Sequence, residues 1–196
     1  MTMTPDIIGI DPSLSNTAIC VYRTTQVTEP WTGCYKTKPA GMLLADRIHR
    51  YNSLAMRVMQ IVSEANPQAI FIEGPSFGSQ GRATLDLAEY RGVLSQALCA
   101  ACPTVIEVSP LTLKLFTTGK GAGDKTMMIA AIVKRYGVMY ETNDEYDAFA
   151  LCRFGACYLG IEKPATEFQE RAIEKLRNPE AKPKKAKKKS VVPESM

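Results

Sequence analysis

Histidine is almost absent from this chain: His49 is the only one in 196 residues. It falls in a helical pattern, where a surface position accounts for it without any catalytic role. The shortage also argues against zinc. Cys99 with Cys102, and Cys152 with Cys157, are unequally spaced, sit in apolar helical stretches and have no histidine nearby, which is not the ligand pattern of a tetrahedral zinc site. No apolar run is long enough to span a bilayer. The first residues, Met1-Thr2-Met3-Thr4-Pro5-Asp6, lack the basic segment and apolar segment of a secretory leader. A cytoplasmic compartment is therefore expected, with Cys20, Cys34, Cys99, Cys102, Cys152 and Cys157 reduced and filling core space.

What is present is ordinary for a globular chain: 45% hydrophobic and 22% charged residues, indicating neither wholesale disorder nor a membrane class. The length predicts one domain with a core that needs no disulfide. The net charge of +4 is misleading, because Lys182, Lys184, Lys185, Lys187, Lys188 and Lys189 supply six positives near the carboxyl end, and without them the chain stands at −2. The body is not basic.

Ile7-Ile8-Gly9-Ile10-Asp11-Pro12 is the stretch that organises the rest. A branched apolar run too short for a helix and closed by Asp-Pro reads as a buried central strand, and Gly9 within it predicts close backbone approach. Asp11 ends this strand with no Lys or Arg nearby in sequence. It either faces a metal ion or opens a hydrogen-bonded turn with Ser13, Ser15 and Asn16 as loop residues.

Thr17 to Tyr22 and Trp31 to Lys36 read as two more strands, the three forming an antiparallel meander. After Pro39, Leu44, Ile48, Tyr51, Ala55, Val58 and Val62 recur at helical spacing and predict one long helix. Ala69 to Ile72 is a short strand ending on Glu73-Gly74-Pro75. A helix over about 82–101 follows, with Leu87, Tyr90, Leu94, Ala97 and Ala101 inward, and then a strand over 104–108. Ser109-Pro110 opens a short helix to about Leu115, and Thr117 to Asp124 reads as a mobile polar loop. Asp124 caps a helix carrying Met128, Ile132 and Val133 that stops at Gly137. Thr142-Asn143-Asp144-Glu145 has capping-box form and opens a helix to about Gly160. The fold class is α/β: a mixed five-stranded sheet with helices on both faces. A charged, helix-compatible segment lies between Ala165 and Leu176, and beyond Asn178 the composition predicts disorder.

Four acids stand at element ends: Asp11, Glu73, and Asp144 with Asp147 three apart on one helix face. Helix-dipole complementarity explains Asp144 and Glu145. It explains Asp147 less well, since Ala148, Phe149, Ala150 and Leu151 turn that face inward. Together the four make a hard-cation site plausible, of the kind in which Mg²⁺ or Mn²⁺ binds through carboxylates and substrate phosphate. Two such ions can activate water for phosphodiester cleavage.

Ile8 to Pro12, Ile72-Glu73, Arg91-Gly92, the segment from Lys114 to Lys125 with Thr118-Gly119 and Gly121, and Asp144 to Ala148 together resemble the RuvC-type Holliday junction resolvases of the RNase H-like superfamily. The resemblance covers roughly residues 7–159. It implies an RNase H-like nuclease domain over 1–162, and composition makes the remainder, 163–196, a charged, lysine-rich, largely disordered tail. It further implies a homodimeric crossover junction endonuclease that resolves four-way junctions by paired symmetric nicks in DNA recombination and repair, with two Mg²⁺ ions for which Mn²⁺ can substitute. By position Asp11, Glu73, Asp144 and Asp147 match the metal-binding acids, and Lys114 and Lys125 the two basic catalytic positions. Phe77 matches the aromatic that stacks at the junction centre, and Arg82, Lys114, Lys120 and Lys125 would contact DNA phosphate. The expected setting is a bacterial or phage-infected cell, DNA-associated and away from membrane.

Ser13 stands where the family has glycine, and the lysine tail extends past its compact body, as expected of a phage-type member with wider substrates. The tail would add salt-sensitive, sequence-independent DNA affinity, or serve solubility or targeting. Rival readings are an RNase H-like nuclease acting on other branched DNA or RNA-containing substrates, a non-catalytic junction-binding module, and half of a sugar-kinase or actin-like ATPase, which one domain of this length disfavours. The loop from Thr117 to Asp124 lacks the Gly-Lys-Ser/Thr ending of a P-loop.

Overall fold

A computed structural model describes residues 6–23, 30–39, 41, 43–76 and 81–179. Its elements run β1 (Asp6–Asp11), β2 (Asn16–Arg23), β3 (Trp31–Lys36), α1 (Leu44–Ala65), β4 (Ala69–Glu73), α2 (Arg82–Ala101), β5 (Val105–Val108), α3 (Pro110–Thr118), α4 (Lys125–Tyr136), α5 (Asn143–Tyr158) and α6 (Glu167–Arg177). The five strands form one sheet in the order β3-β2-β1-β4-β5. β1, β2 and β3 pair antiparallel, and β4 lies parallel to both β1 and β5. This is the expected mixed α/β sheet, with β1 at its centre. No helix among the described residues is long and apolar enough to cross a membrane.

Alternation along β1 separates two cores. Ile8 and Ile10 face α1 and α2, packing with Leu54, Val58, Leu94 and Leu98. Ile7 faces the other side, with Phe71, Leu113, Phe116, Phe149 and Phe154. Full burial of each such side chain contributes about 1.5–3 kcal/mol. Gly9 lies on the same face as Ile7 and Asp11, and there α5 sits directly on the strand: a Cβ on Gly9 would be 2.2 Å from the Ala148 carbonyl oxygen and 2.9 Å from the Cys152 nitrogen. The close approach expected at Gly9 is therefore made by α5. Gly155 repeats the device one strand over, where a Cβ would stand 2.5 Å from the Phe71 ring.

Several details differ from the sequence reading. Leu44 and Ile48 do not face inward; they are exposed, and the buried face of α1 is Tyr51, Leu54, Ala55, Val58 and Val62. The first turns of α1 meet α2 through charge instead, Arg47 pairing with Asp86 at 3.7 Å and Glu89 at 3.6 Å. On α2 the buried residues are Tyr90, Leu94 and Leu98, while Ala101 is exposed. Cys99 is exposed rather than core-filling. α3 continues to Thr118, so Thr117 is not in the loop but buried in the last helical turn, donating to the Leu113 carbonyl at 3.0 Å.

The boundary expected after residue 162 also moves. α6 packs against α3, burying Gln169, Ala172 and Ile173, and the latter two join the core beneath α5. The folded body runs at least to Arg177. The lysine-rich residues from 180 onward lie outside the described residues, and so does Phe77.

Candidate metal centre

Three helix and strand ends converge on Asp11. Asp11 closes β1 on the α5 face of the sheet, two residues from Gly9. Because α5 lies tight on Gly9 through Ala148 and Cys152, the turn that precedes these residues brings Asp147 and Asp144 over Asp11. Capping holds that turn: Thr142 accepts from the Glu145 backbone N–H at 3.3 Å, and Glu145 Oε2 accepts from the Thr142 N–H at 3.0 Å. The second Glu145 oxygen accepts from Thr32 of β3 at 2.9 Å.

Carboxylate oxygens of Asp11, Asp144 and Asp147 all lie within 4.8 Å of one another, close enough to hold one metal ion. Glu73 arrives from β4. It shares the α5 side of the sheet with Phe71, two residues back, and its charge acts on the Asp11 carboxyl. Three of the four acids named from the sequence therefore meet within reach of one ion, and Glu73 stands near enough for its charge to act on Asp11 and Asp147.

The electrostatics are those of a site short of positive charge. Asp11 and Asp147 are 7% and 8% exposed. Burial first, and then the charges of Glu73, Asp147 and Asp144, hold the Asp11 carboxyl well above the usual carboxylate range. Burial and the Glu73 charge push Asp147 up to about 7, with Lys125 opposing. Burial likewise raises Glu73, against the pull of the Asp11 hydrogen bond and of Lys125, Arg91 and Lys114. Like-charged carboxylates forced together out of water resist ionisation. A hard, oxygen-seeking divalent cation removes that cost, so the donor set fits such an ion.

Of the basic residues, Lys125 is at the centre. It opens α4, just after its cap Asp124, which accepts from Met127 N at 2.7 Å. Its ammonium stands 3.7 Å from Asp144 Oδ1 and 3.8 Å from Asp147 Oδ2. Burial would lower the Lys125 pKa, but Asp147, Asp144, Asp11 and Glu73 outweigh it and raise it. Lys114, on α3, lowers Glu73 and Asp147 through its charge. Lys120 is exposed in the turn after α3, where its backbone N–H donates to Thr118 at 3.1 Å, and among the described residues no ion pair joins it to the acids. Arg82 is held away from them, paired with Asp86 at 2.7 Å.

Two contributors were not identified as site residues from sequence. Arg91 donates to the Glu73 backbone carbonyl at 2.5 Å and pairs with Glu107 at 3.0 Å, tying α2 to the end of β4. Asn16 donates through Nδ2 to Asp144 Oδ2 at 2.5 Å. Arg91 was visible as part of an Arg-Gly motif without a role; Asn16 read as a loop polar residue.

A mixed sheet ordered 3-2-1-4-5, with acids ending β1 and β4 and two more on the helix that crosses them, defines an RNase H-like α/β protein with a carboxylate cluster that could hold a metal ion. Comparison with known proteins narrows the class. Residues 7–152 match the family model described as crossover junction endodeoxyribonuclease RuvC, and the chain belongs to that family. The RuvC endonuclease of Campylobacter hominis is 26% identical over 149 residues, spanning 74% of this chain and 91% of that protein. That of Brucella anthropi is 29% identical over 155 residues, with 77% and 87% covered. Among solved structures, Thermus thermophilus RuvC in complex with Holliday junction substrate superposes with a TM-score of 0.65 at 20% identity, covering 80% of this chain and 96% of that one. The yeast mitochondrial Holliday junction resolvase Ydc2 gives 0.54 at 12% identity, covering 89% and 82%. At these identities the structural likeness is one of fold.

Proposed function

We propose that this chain resolves four-way DNA junctions as a Mg²⁺-dependent endonuclease, acting as a homodimer that nicks two opposing strands. The observation that carries the reading is the convergence of Asp11, Asp144 and Asp147 within 4.8 Å, on a chain of the RuvC family. Those three acids would hold the cation, and Glu73 beside Asp11 supplies the further carboxylate that a second ion needs. Mn²⁺, which takes the same oxygen ligands, would substitute. Bound there, a divalent cation neutralises charge on the phosphate and lowers the pKa of water.

The protein's own part is positioning and charge. Lys125 stands against the carboxylates and would turn toward the anionic phosphate as that group enters, with Lys114 acting from α3. Arg91 fixes the backbone that carries Glu73. Phe77 at the junction centre, and Arg82 and Lys120 on phosphate farther out, complete the proposed DNA contacts. The lysine-rich residues from 182 onward would add affinity that falls with salt. Such a protein would work in the cytoplasm, on DNA.

Cleavage of a labelled mobile four-way junction tests this, with and without Mg²⁺, for the wild type and Asp11→Asn, beside a linear duplex control. Paired nicks that need Mg²⁺, vanish in the variant and are absent on duplex are the expected result. Junction binding without cleavage in Mg²⁺ or Mn²⁺ would overturn catalysis in favour of a recognition module. Running flap, duplex RNA and RNA–DNA hybrid in parallel identifies a broader nuclease if all are cut equally.

A further inference from the structure

Asn16 begins β2, beside the turn that follows Asp11, and its side chain is placed unlike that of a loop residue. Nδ2 donates to Asp144 Oδ2 at 2.5 Å, and the neighbouring strand β3 presents Cys34 to the same helix. Cys34 Sγ in turn lies 3.2 Å from Thr142 Oγ1, the cap of α5. Two contacts, Asn16 to Asp144 and Cys34 to Thr142, thus brace the first turn of α5 against the two antiparallel strands. The amide orientation follows from chemistry, since a carboxylate accepts and only the nitrogen of the amide can donate to it.

That leaves the other end of the amide. Asn16 Oδ1 is buried and has no hydrogen-bond partner. A buried carbonyl oxygen without a donor is destabilising, and such groups are uncommon unless a water or ion completes them. Here the orphaned acceptor belongs to a side chain already bonded to a proposed metal ligand. Mg²⁺ keeps several of its waters when it binds through carboxylates, and those waters are donors.

We propose that Asn16 is a positioning residue of the metal centre, its amide N–H fixing Asp144 while its carbonyl oxygen accepts from a water of the bound cation. This rests on the metal-centre reading above. Partners that orient a metal ligand typically change metal affinity 10- to 100-fold when removed. Asn16 therefore sets how tightly the cation is held, and it does so without touching the DNA.

The test is Mn²⁺ binding to the full chain without DNA, measured by calorimetry and by the loss of free-ion electron paramagnetic resonance signal, for wild type, Asn16→Ala and Asp11→Asn. Asn16→Ala is expected to weaken binding about tenfold or more and to slow junction cleavage at limiting cation, with recovery as Mn²⁺ is raised and with junction affinity in Ca²⁺ unchanged. Equal affinity in a folded Asn16→Ala protein would overturn the proposal, because a merely structural contact would lower thermal stability without altering cation binding. Should that variant not fold, the wild type itself decides: the Asn16 side-chain amide resonances must shift along the Mg²⁺ binding curve, and their invariance at saturation overturns the proposal. Failure of the wild type to bind Mn²⁺ at all would instead sink the metal centre on which the proposal stands.

Discussion

Replacing Asp147 by asparagine should make the metal-free protein more stable at pH 8 while abolishing its activity. Asp147 is 8% exposed, and its carboxyl is pushed from 3.8 to about 7 by burial and by the neighbouring Glu73 charge. A folded-state pKa above the unfolded one means that folding takes up a proton between about pH 4 and 7. The stability contributed is full below about pH 4 and is lost as pH rises through 7. By pH 8 the ionised group costs up to about 4 kcal/mol, at about 1.4 kcal/mol per pH unit. An asparagine there escapes that cost but carries its own desolvation of roughly 1–2 kcal/mol. The net expectation for Asp147→Asn at pH 8 is about 2–3 kcal/mol of added stability, or roughly 5–10 °C in Tm for a chain of this size. Urea unfolding in EDTA at pH 4.5, 6 and 8 measures it: the gap between variant and wild type should be near zero or slightly negative at the lowest pH and open as pH rises. Saturating Mg²⁺ should stabilise the wild type and close the gap from that side. A gap that does not vary with pH, or a variant less stable than wild type at pH 8, would refute the account of a charge-strained site.

Gly9→Ala would drive a methyl into the Ala148 carbonyl and the α5 backbone, which cannot rotate away; a loss of about 1–3 kcal/mol should come with a loss of cleavage larger than instability explains, measured by unfolding and junction assays on the same samples. Lys125→Ala removes an ammonium that pairs with Asp144 and Asp147, the oxygens a cation would use. Calorimetry should show Mn²⁺ binding as tight as wild type or tighter, even as single-turnover cleavage falls by a factor of roughly 100 or more, about 2.7 kcal/mol of transition-state stabilisation. Ile173→Asp places a charge in the core between α6 and the rest of the body, and thermal unfolding should reveal a loss of about 3 kcal/mol or more, whereas an inert tail would leave Tm unchanged.

Much of the site was legible because each acid interrupts a pattern. Asp11 and Glu73 each end an apolar strand on charge, and Asp147 precedes an inward-facing run, so all three put a carboxyl where their neighbours announce burial. Gly9 was legible for the related reason that a strand interior gives up a side chain only where something needs the space. The pattern could not show that this something is α5, since contact between residues 9 and 148 belongs to the tertiary fold. Nor could it separate Asn16 from Ser13 and Ser15: the two serines bond each other within the turn, and only the arrival of Asp144 from 128 positions away gives Asn16 a partner at the site. α1 and α6 misled in opposite directions. Apolar spacing at Leu44 and Ile48 promised burial, yet that end of α1 meets its neighbour α2 through the ion pairs of Arg47, while the charged surroundings of Gln169, Ala172 and Ile173 hid a narrow stripe that α3 and α5 cover. Local pattern therefore reports what a segment could bury, and the dimensions of its neighbour decide what it does. At the acid cluster those dimensions are set by two glycines: without side chains at Gly9 and Gly155, α5 comes down far enough for Asp144 and Asp147 to reach the end of the strand beneath it.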